Sequence, residues 1–431
     1  MKGATLLFYR IILFLYVLAI PFYLTNIIPL TKTIVWLPLL LIPWLDTAKR
    51  YVALLKLDII KWLGIYILFL FLTCYFVEDK SLGFLQILDF LIALSFLIIV
   101  LIMATYSRSL LKLMFAAFLI GLILSLGIGF YQNFVDNTFR ITHFELNANT
   151  AESINGSINY RVGGPFSNSL SFSNYLSVCG IVIIAIFLNT RKHGYLLLSL
   201  IVLGFVSYGI VLTQGRTAIV FFIIAVYLAF LNRYIQKRVS KVIFSLIFFV
   251  PGILILGTLY SDQFAKLAGM VRFFNTTQDF NHGRLDNWVY GFTIIERSPF
   301  FGAGVGNLNL TLKSMNYNFP SAKIIYYHNG HLESTFFTIL ATNGVIGFGI
   351  FMYWIFLITK KMLSTLKTVT GPFHNYLMAA AYGWFVLLGN MVTNPAFLID
   401  YRIMFLFLLI GAIPYILDNY LVKWKINFSE Q

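Results

Sequence analysis

Arg216, Arg284 and His328 carry the side chains best suited to chemistry in this chain. Arg216 stands in LTQGRTA, where one apolar run ends and the next begins with almost no loop. A guanidinium at that depth is costly unless it meets an anion or water. A snorkelling interfacial arginine and an anion ligand both fit that position. Gln214 and Thr217 add hydrogen-bonding capacity beside it, and Gly215 lets the backbone approach closely. Arg284, in HGRLDNW, opens a stretch of helical spacing, where free N–H groups and the positive dipole end suit phosphate. A surface ion pair with Asp286 is the plainer reading. Two forked, permanently charged guanidinium groups together can grip a diphosphate.

His328 and Asn329 lie in YYHNGHLES, before a second helical stretch. Histidine is the side chain most easily tuned to act as a base near neutral pH, and it is equally a helix-entry residue bonded to backbone. His331 and Glu333 are close enough in sequence to orient it. The spacing His-x-x-His-x-Glu suggests a metal, but no well-spaced set of ligands completes it, so neither a metal nor another cofactor is expected. Arg161 in NYRVGGPFSNS and Arg402 in LIDYRIMF are further arginines at the ends of apolar runs. Phosphate, sugar carboxylates or lipid headgroups would suit them.

The elements that must position these residues are membrane helices. Mean hydropathy is +0.84. With 59% hydrophobic and only 11% charged residues, the chain falls outside the soluble globular range. Apolar runs long enough to span a bilayer occupy about 8–25, 27–45, 62–78, 82–104, 112–131, 165–189, 195–213, 217–232, 242–260, 345–359, 376–395 and 403–418. The start resembles a signal peptide, but no small-residue cleavage site follows its apolar run, so it reads as a retained first span. Cys74 and Cys179 both fall inside apolar runs, which excludes a disulfide framework.

The net charge of +15 is topological. With both termini cytoplasmic, the short cytoplasmic segments hold 18 of the 31 basic residues, and most acids fall on the other side. Nucleic acid is therefore not expected as a partner. Two long outer segments remain, 132–164 and 261–343. The first reads as loop with a turn at Gly163-Gly164-Pro165. In the second, Leu285, Trp288, Val289, Phe292 and Ile295 recur at helical spacing and Ser298-Pro299 stops the run. A glycine-rich turn follows at Gly302, Gly304 and Gly306, and a second helix starts near Asn329 or Gly330, with Gly344 separating it from the tenth span. The fold class is thus all-α: a polytopic bundle of about twelve spans, one membrane domain over 1–431, with a partly helical periplasmic cap over 261–343 between spans nine and ten.

Three motifs in order, LTQGRTA, GRLDNWVYGFTIIERSPFFGAGVGN and HNGHLESTFFTILATNGVIGFGIF, resemble the bacterial O-antigen ligase and O-antigen polymerase superfamily. The resemblance covers about 160–402; the first five spans match it only in topology. It implies a metal-independent, inverting glycosyltransferase of the bacterial inner membrane with a periplasmic site. Arg216 and Arg284 would bind the diphosphate of an undecaprenyl-linked glycan, and His328 would activate the acceptor hydroxyl. From the residue types alone, His331, Glu333, Asn329, Gln214, Arg161 and Arg402 are candidates to stand around them. The acceptor is lipid A–core oligosaccharide for a ligase and a second lipid-linked glycan for a polymerase. The length of the second outer loop and the HNGHLE context lean toward the ligase. A twelve-span transporter is the reading from another class; the chain lacks the half-to-half repeat common in transporters, and its polar residues gather at the outer face.

Overall fold

The computed structural model describes residues 2–22, 54–105, 109–136, 139, 152–154, 157–159, 161–166, 168–190, 193–234, 285–308, 310–311, 332 and 334–418. Helices dominate: α1 (Lys2–Ala19), α2 (Asp58–Cys74), α3 (Lys80–Thr105), α4 (Ser109–Phe134), α5 (Ser169–Asn189), α6 (His193–Thr213), α7 (Arg216–Tyr234), α8 (Leu285–Arg297), α9 (Thr335–Thr368), α10 (Pro372–Thr393), the single turn α11 (Ala396–Ile399) and α12 (Tyr401–Leu417). Seven of them are long and apolar enough to cross a bilayer, and 7–22 and 401–417 form shorter apolar helices. The chain is an integral membrane protein. The expected spans 27–45 and 242–260 lie outside the described residues.

One departure from the all-helical expectation is small. Glu152–Ile154 (β1) and Ser157–Asn159 (β2) pair antiparallel inside the outer segment that reads as loop. In sequence the residues between the strands are Asn155-Gly156, a pair favoured in two-residue hairpin loops.

The chain divides into two compact units. The first comprises Met1–Gly121, Gly283–Ala380 and Met391–Gln431. Its centre is α12, whose residues from Arg402 to Leu417 are all buried, as befits a helix apolar all round. Rings layer along its sides: Phe405 stacks on Phe96 of α3 at 4.5 Å, and Phe407 meets Phe397 at 5.0 Å. At one end the Trp354 Nε1 donates to the Ile59 carbonyl at 2.9 Å. Lys361 and Asp418 form an ion pair.

The second unit comprises Leu122–His282 and Ala381–Asn390. Here α5 is the buried helix, packed against α6 and α7. Those two helices expose Leu197, Phe205, Val220 and Ile223, an apolar surface suited to lipid. Inside the unit, Asn390 donates through Nδ2 to the Ser177 hydroxyl at 3.2 Å.

Candidate functional site

In the second unit the LTQGRTA junction is built by helix ends. α6 stops at Thr213, α7 starts at Arg216, and Gln214 with Gly215 makes the whole connection. Gln214 has φ 56°, the only non-glycine residue with positive φ among the described residues. This is the position after a helix where glycine is usual, because a Cβ is strained there. Its N–H donates to the Val211 carbonyl at 2.9 Å. Gly215 sits against α5: a Cβ on it would lie 2.5 Å from the Ser173 hydroxyl oxygen. The close approach expected of this glycine is therefore real.

The strained glutamine has a partner. Arg161 Nε donates to Gln214 Oε1 at 3.3 Å. Arg161 is delivered by the segment 161–166, which docks on the end of α6 through Val162 N–H to the Leu212 carbonyl at 3.2 Å. The Gly163-Gly164-Pro165 turn closes with Phe166 N–H on the Gly163 carbonyl at 3.0 Å. Gln132, buried in α4, holds both backbone groups of Gly164: Nε2 donates to its carbonyl at 2.9 Å, and Oε1 accepts from its N–H at 2.8 Å. Sequence reasoning passed over Gln132, which stands at the boundary between an apolar run and the outer segment and carries no local signal of this role. Arg161 thus meets Gln214, two residues before the half-buried Arg216. Arg216 opens α7, and a cation at a helix N-terminus suits a phosphate-bearing ligand.

In the first unit the structure describes the supports of the other two motifs. Arg284, His328, Asn329, His331 and Glu333 themselves lie outside the described residues. α8 begins one residue after Arg284 and runs to Arg297, as its spacing predicts. The second helix begins at Thr335, not near Asn329 or Gly330. Ser334 is its cap, with extended backbone and a side chain accepting from Phe337 N–H. Leu332, between His331 and Glu333, is fixed by its N–H on the Thr338 hydroxyl at 2.9 Å. Thr335 in turn donates to the Asn394 carbonyl at 2.8 Å.

α9 breaks at Gly344, with φ 61° and ψ −171°. A broken helix leaves carbonyls and amides without their partners four residues away. The loop after α8 supplies replacements. Ala303 N–H donates to the Ala341 carbonyl at 2.9 Å and Gly304 N–H to the Thr342 carbonyl at 2.7 Å. In the other direction Val345 N–H donates to the Pro299 carbonyl at 2.8 Å. The approach is backbone on backbone: a Cβ on Gly344 would lie 2.3 Å from Phe300 backbone atoms, and one on Gly302 2.4 Å from the Ala341 carbonyl oxygen. The same loop is locked to the α2–α3 turn by Asn307. Its Oδ1 accepts from Asp79 N–H at 2.8 Å, and its Nδ2 donates to the Asp79 carbonyl at 2.9 Å and the Val305 carbonyl at 2.9 Å. The glycines and asparagine of SPFFGAGVGN therefore build backbone.

Arg402 has a different place from the other arginines. It is completely buried, and its guanidinium forks onto Asp400, Nε to Oδ1 at 2.7 Å and Nη2 to Oδ2 at 2.6 Å. Asp400 also caps α12 by accepting from Arg402 N–H at 3.1 Å. Arg402 is thus engaged as an internal cation holding α12 and reaching the Pro21 carbonyl. No cluster of three or more metal-ligating side chains occurs among the described residues.

Comparison with known proteins adds one match. Residues 201–352 match the family model of O-antigen ligase, a stretch that takes in Gln214, Arg216, Arg284, His328, Asn329, His331 and Glu333. It is narrower than the resemblance read from the motifs, and leaves Arg161 and Arg402 outside. No curated protein matches the chain. A domain of this family implies a glycosyltransferase acting on lipid-linked glycans.

Proposed function

Starting from an O-antigen ligase domain at residues 201–352, we propose that this protein transfers a glycan from undecaprenyl diphosphate to a sugar hydroxyl of lipid A–core oligosaccharide at the periplasmic face. The observation that carries this reading is the family match itself, whose span encloses Arg216, Arg284 and His328. In the proposed reaction the acceptor oxygen attacks the anomeric carbon from the face opposite the diphosphate. Its proton passes to His328. The bond from the anomeric carbon to the phosphate oxygen breaks, and the electron pair leaves with undecaprenyl diphosphate. Configuration inverts. Arg216 and Arg284 stabilise the departing charge, the role a divalent ion plays in many glycosyl transfers, so the reaction needs no metal.

The local geometry at the LTQGRTA junction supports an anion-binding role. Gln214, two residues before Arg216, has a left-handed backbone that glycine would adopt without strain, and its side chain engages Arg161. The half-apolar donor also accounts for a site at the end of membrane helices. A polymerase would use the same donor and arginines with a second lipid-linked glycan as acceptor. Deleting the gene and examining surface polysaccharide by gel separates the readings. Uncapped lipid A–core is the result expected here; core capped with single repeat units would reassign the protein as a polymerase, and an unchanged ladder would reject both.

A further inference from the structure

We propose that Gly291 is a positioning residue, setting the spacing between the helix that follows Arg284 and the segment that carries His331 and Glu333. Gly291 lies in the interior of α8, a position where glycine weakens a helix by about 1 kcal/mol relative to alanine. Something must offset that loss, and the contact is visible. A Cβ on Gly291 would lie 2.5 Å from Phe337 Cε1 and 2.7 Å from Leu332 Cδ1. Leu332 is the residue between His331 and Glu333, and Phe337 is on the first turn of α9.

Leu332 is fully buried, and Phe337 is half-buried against it. Leu332 is buried in a cluster with Ile294, Leu308 and Ala341, against which Phe337 packs. Phe337 also meets Phe292 of α8, ring centroids 5.1 Å apart. Beyond them the loop after α8 is hydrogen-bonded to the break at Gly344 and clamped to Asp79 by Asn307. α8, its loop and the first part of α9 therefore form one braced body, and added volume at Gly291 moves α8 away from the Leu332 segment. A displacement near 1 Å suffices to cost roughly 100-fold in a reaction that depends on alignment.

The inference rests on the proposed transfer reaction, and one experiment separates the two. Transfer from a synthetic undecaprenyl-diphosphate-linked glycan is measured on the purified full chain, together with thermal unfolding in detergent. Wild-type protein tests the reading of function: absence of any transfer overturns that reading whatever the variants do. For Gly291→Ala, kcat is expected to fall 10- to 100-fold with the donor KM changed less than threefold and the unfolding temperature not lowered. Adding Phe337→Leu makes room, and Gly291→Ala/Phe337→Leu is expected to recover at least tenfold of the loss. A Gly291→Ala enzyme with wild-type kcat overturns the proposal, and so does a loss that Phe337→Leu fails to repair. Gly349→Ala, whose added Cβ meets nothing within 4 Å, serves as the control and is expected to match wild type.

Discussion

Asn307 holds Asp79 by both backbone polar groups, N–H at 2.8 Å and carbonyl at 2.9 Å, across 228 positions of sequence. One side chain thereby satisfies the turn between α2 and α3 and anchors the loop that repairs the break in α9. A buried group left without its partner costs about 1–3 kcal/mol. Asn307→Ala is expected to lower stability by about that amount, seen as a lower unfolding temperature in detergent. Asn307→Asp should be worse than alanine, because a carboxylate oxygen would face the Asp79 and Val305 carbonyls that now accept from Nδ2.

The same turn gives a pH dependence of definite sign. Asp79 caps α3: its Oδ1 accepts from the Ser81 hydroxyl at 2.6 Å and from the N–H groups of Ser81 at 2.8 Å and Leu82 at 3.2 Å. The Ser81 hydroxyl bond, then those backbone bonds, hold its carboxyl below the usual range. A depressed folded-state value means the cap is fully present above the ordinary aspartate range and is lost as pH falls through the lowered value. Wild-type unfolding temperature should therefore drop on acidification by more than that of Asp79→Asn, whose cap does not titrate. Equal slopes for the two proteins would remove Asp79 from the account.

The buried Asp400–Arg402 pair makes a third test, and it separates structure from substrate binding. Removing one partner strands the other charge, at a cost of about 3–5 kcal/mol. Arg402→Ala and Asp400→Ala are each expected to reduce folded protein in the membrane. Asp400→Leu/Arg402→Met removes both charges and should restore much of it, along with transfer activity. Folded but inactive double variant would give Arg402 a direct part in the reaction.

Arg402 also shows what the sequence could and could not convey. Residues two apart do not face each other on a helix, so Asp400 was no obvious partner. Asp400 lies just off the helix as its cap, and from there its carboxylate curls back onto the guanidinium. Most of the described spans and the break at Gly344 were legible because apolar runs and a glycine at a run boundary are local signals. The start of α9 was misplaced because Asn329-Gly330 resembles a helix entry, whereas Ser334 is the cap that Phe337 N–H uses. The β1–β2 pair lay hidden in a polar stretch despite the Asn155-Gly156 pair in its sequence. Gly291, Asn307 and Gln132 act through contacts distant in sequence, and no spacing rule reaches those.

Gln214 offers a trade between stability and function. Its left-handed backbone would suit glycine, so Gln214→Gly should keep or raise the unfolding temperature. Transfer should nonetheless fall, since Arg161 loses the Oε1 it now uses. Arg216→Lys keeps the charge but loses the fork, and a sharp drop in transfer with normal membrane insertion is expected. Full activity in that variant would reduce Arg216 to a point charge or a structural role. Chelator should leave wild-type transfer intact; loss restored by one divalent ion would overturn the metal-independent mechanism.

The sharpest division of labour concerns His328. As the base it touches the acceptor proton and not the donor diphosphate, so His328→Ala should still bind a photocrosslinkable polyprenyl diphosphate probe while failing to transfer. A general base contributes roughly 10²–10⁴-fold, and a trace of product is compatible with its loss. The wild-type rate should rise with pH through the range in which histidine titrates, and that limb should vanish in the variant. His331→Ala is expected to be the milder change, because Leu332 N–H on Thr338 pins the backbone beside it whatever side chain His331 carries. If His328→Ala loses probe binding together with activity, the histidine is a phosphate ligand or a structural residue. If it transfers at the wild-type rate, the base lies elsewhere, and Glu333→Gln is the next variant to measure.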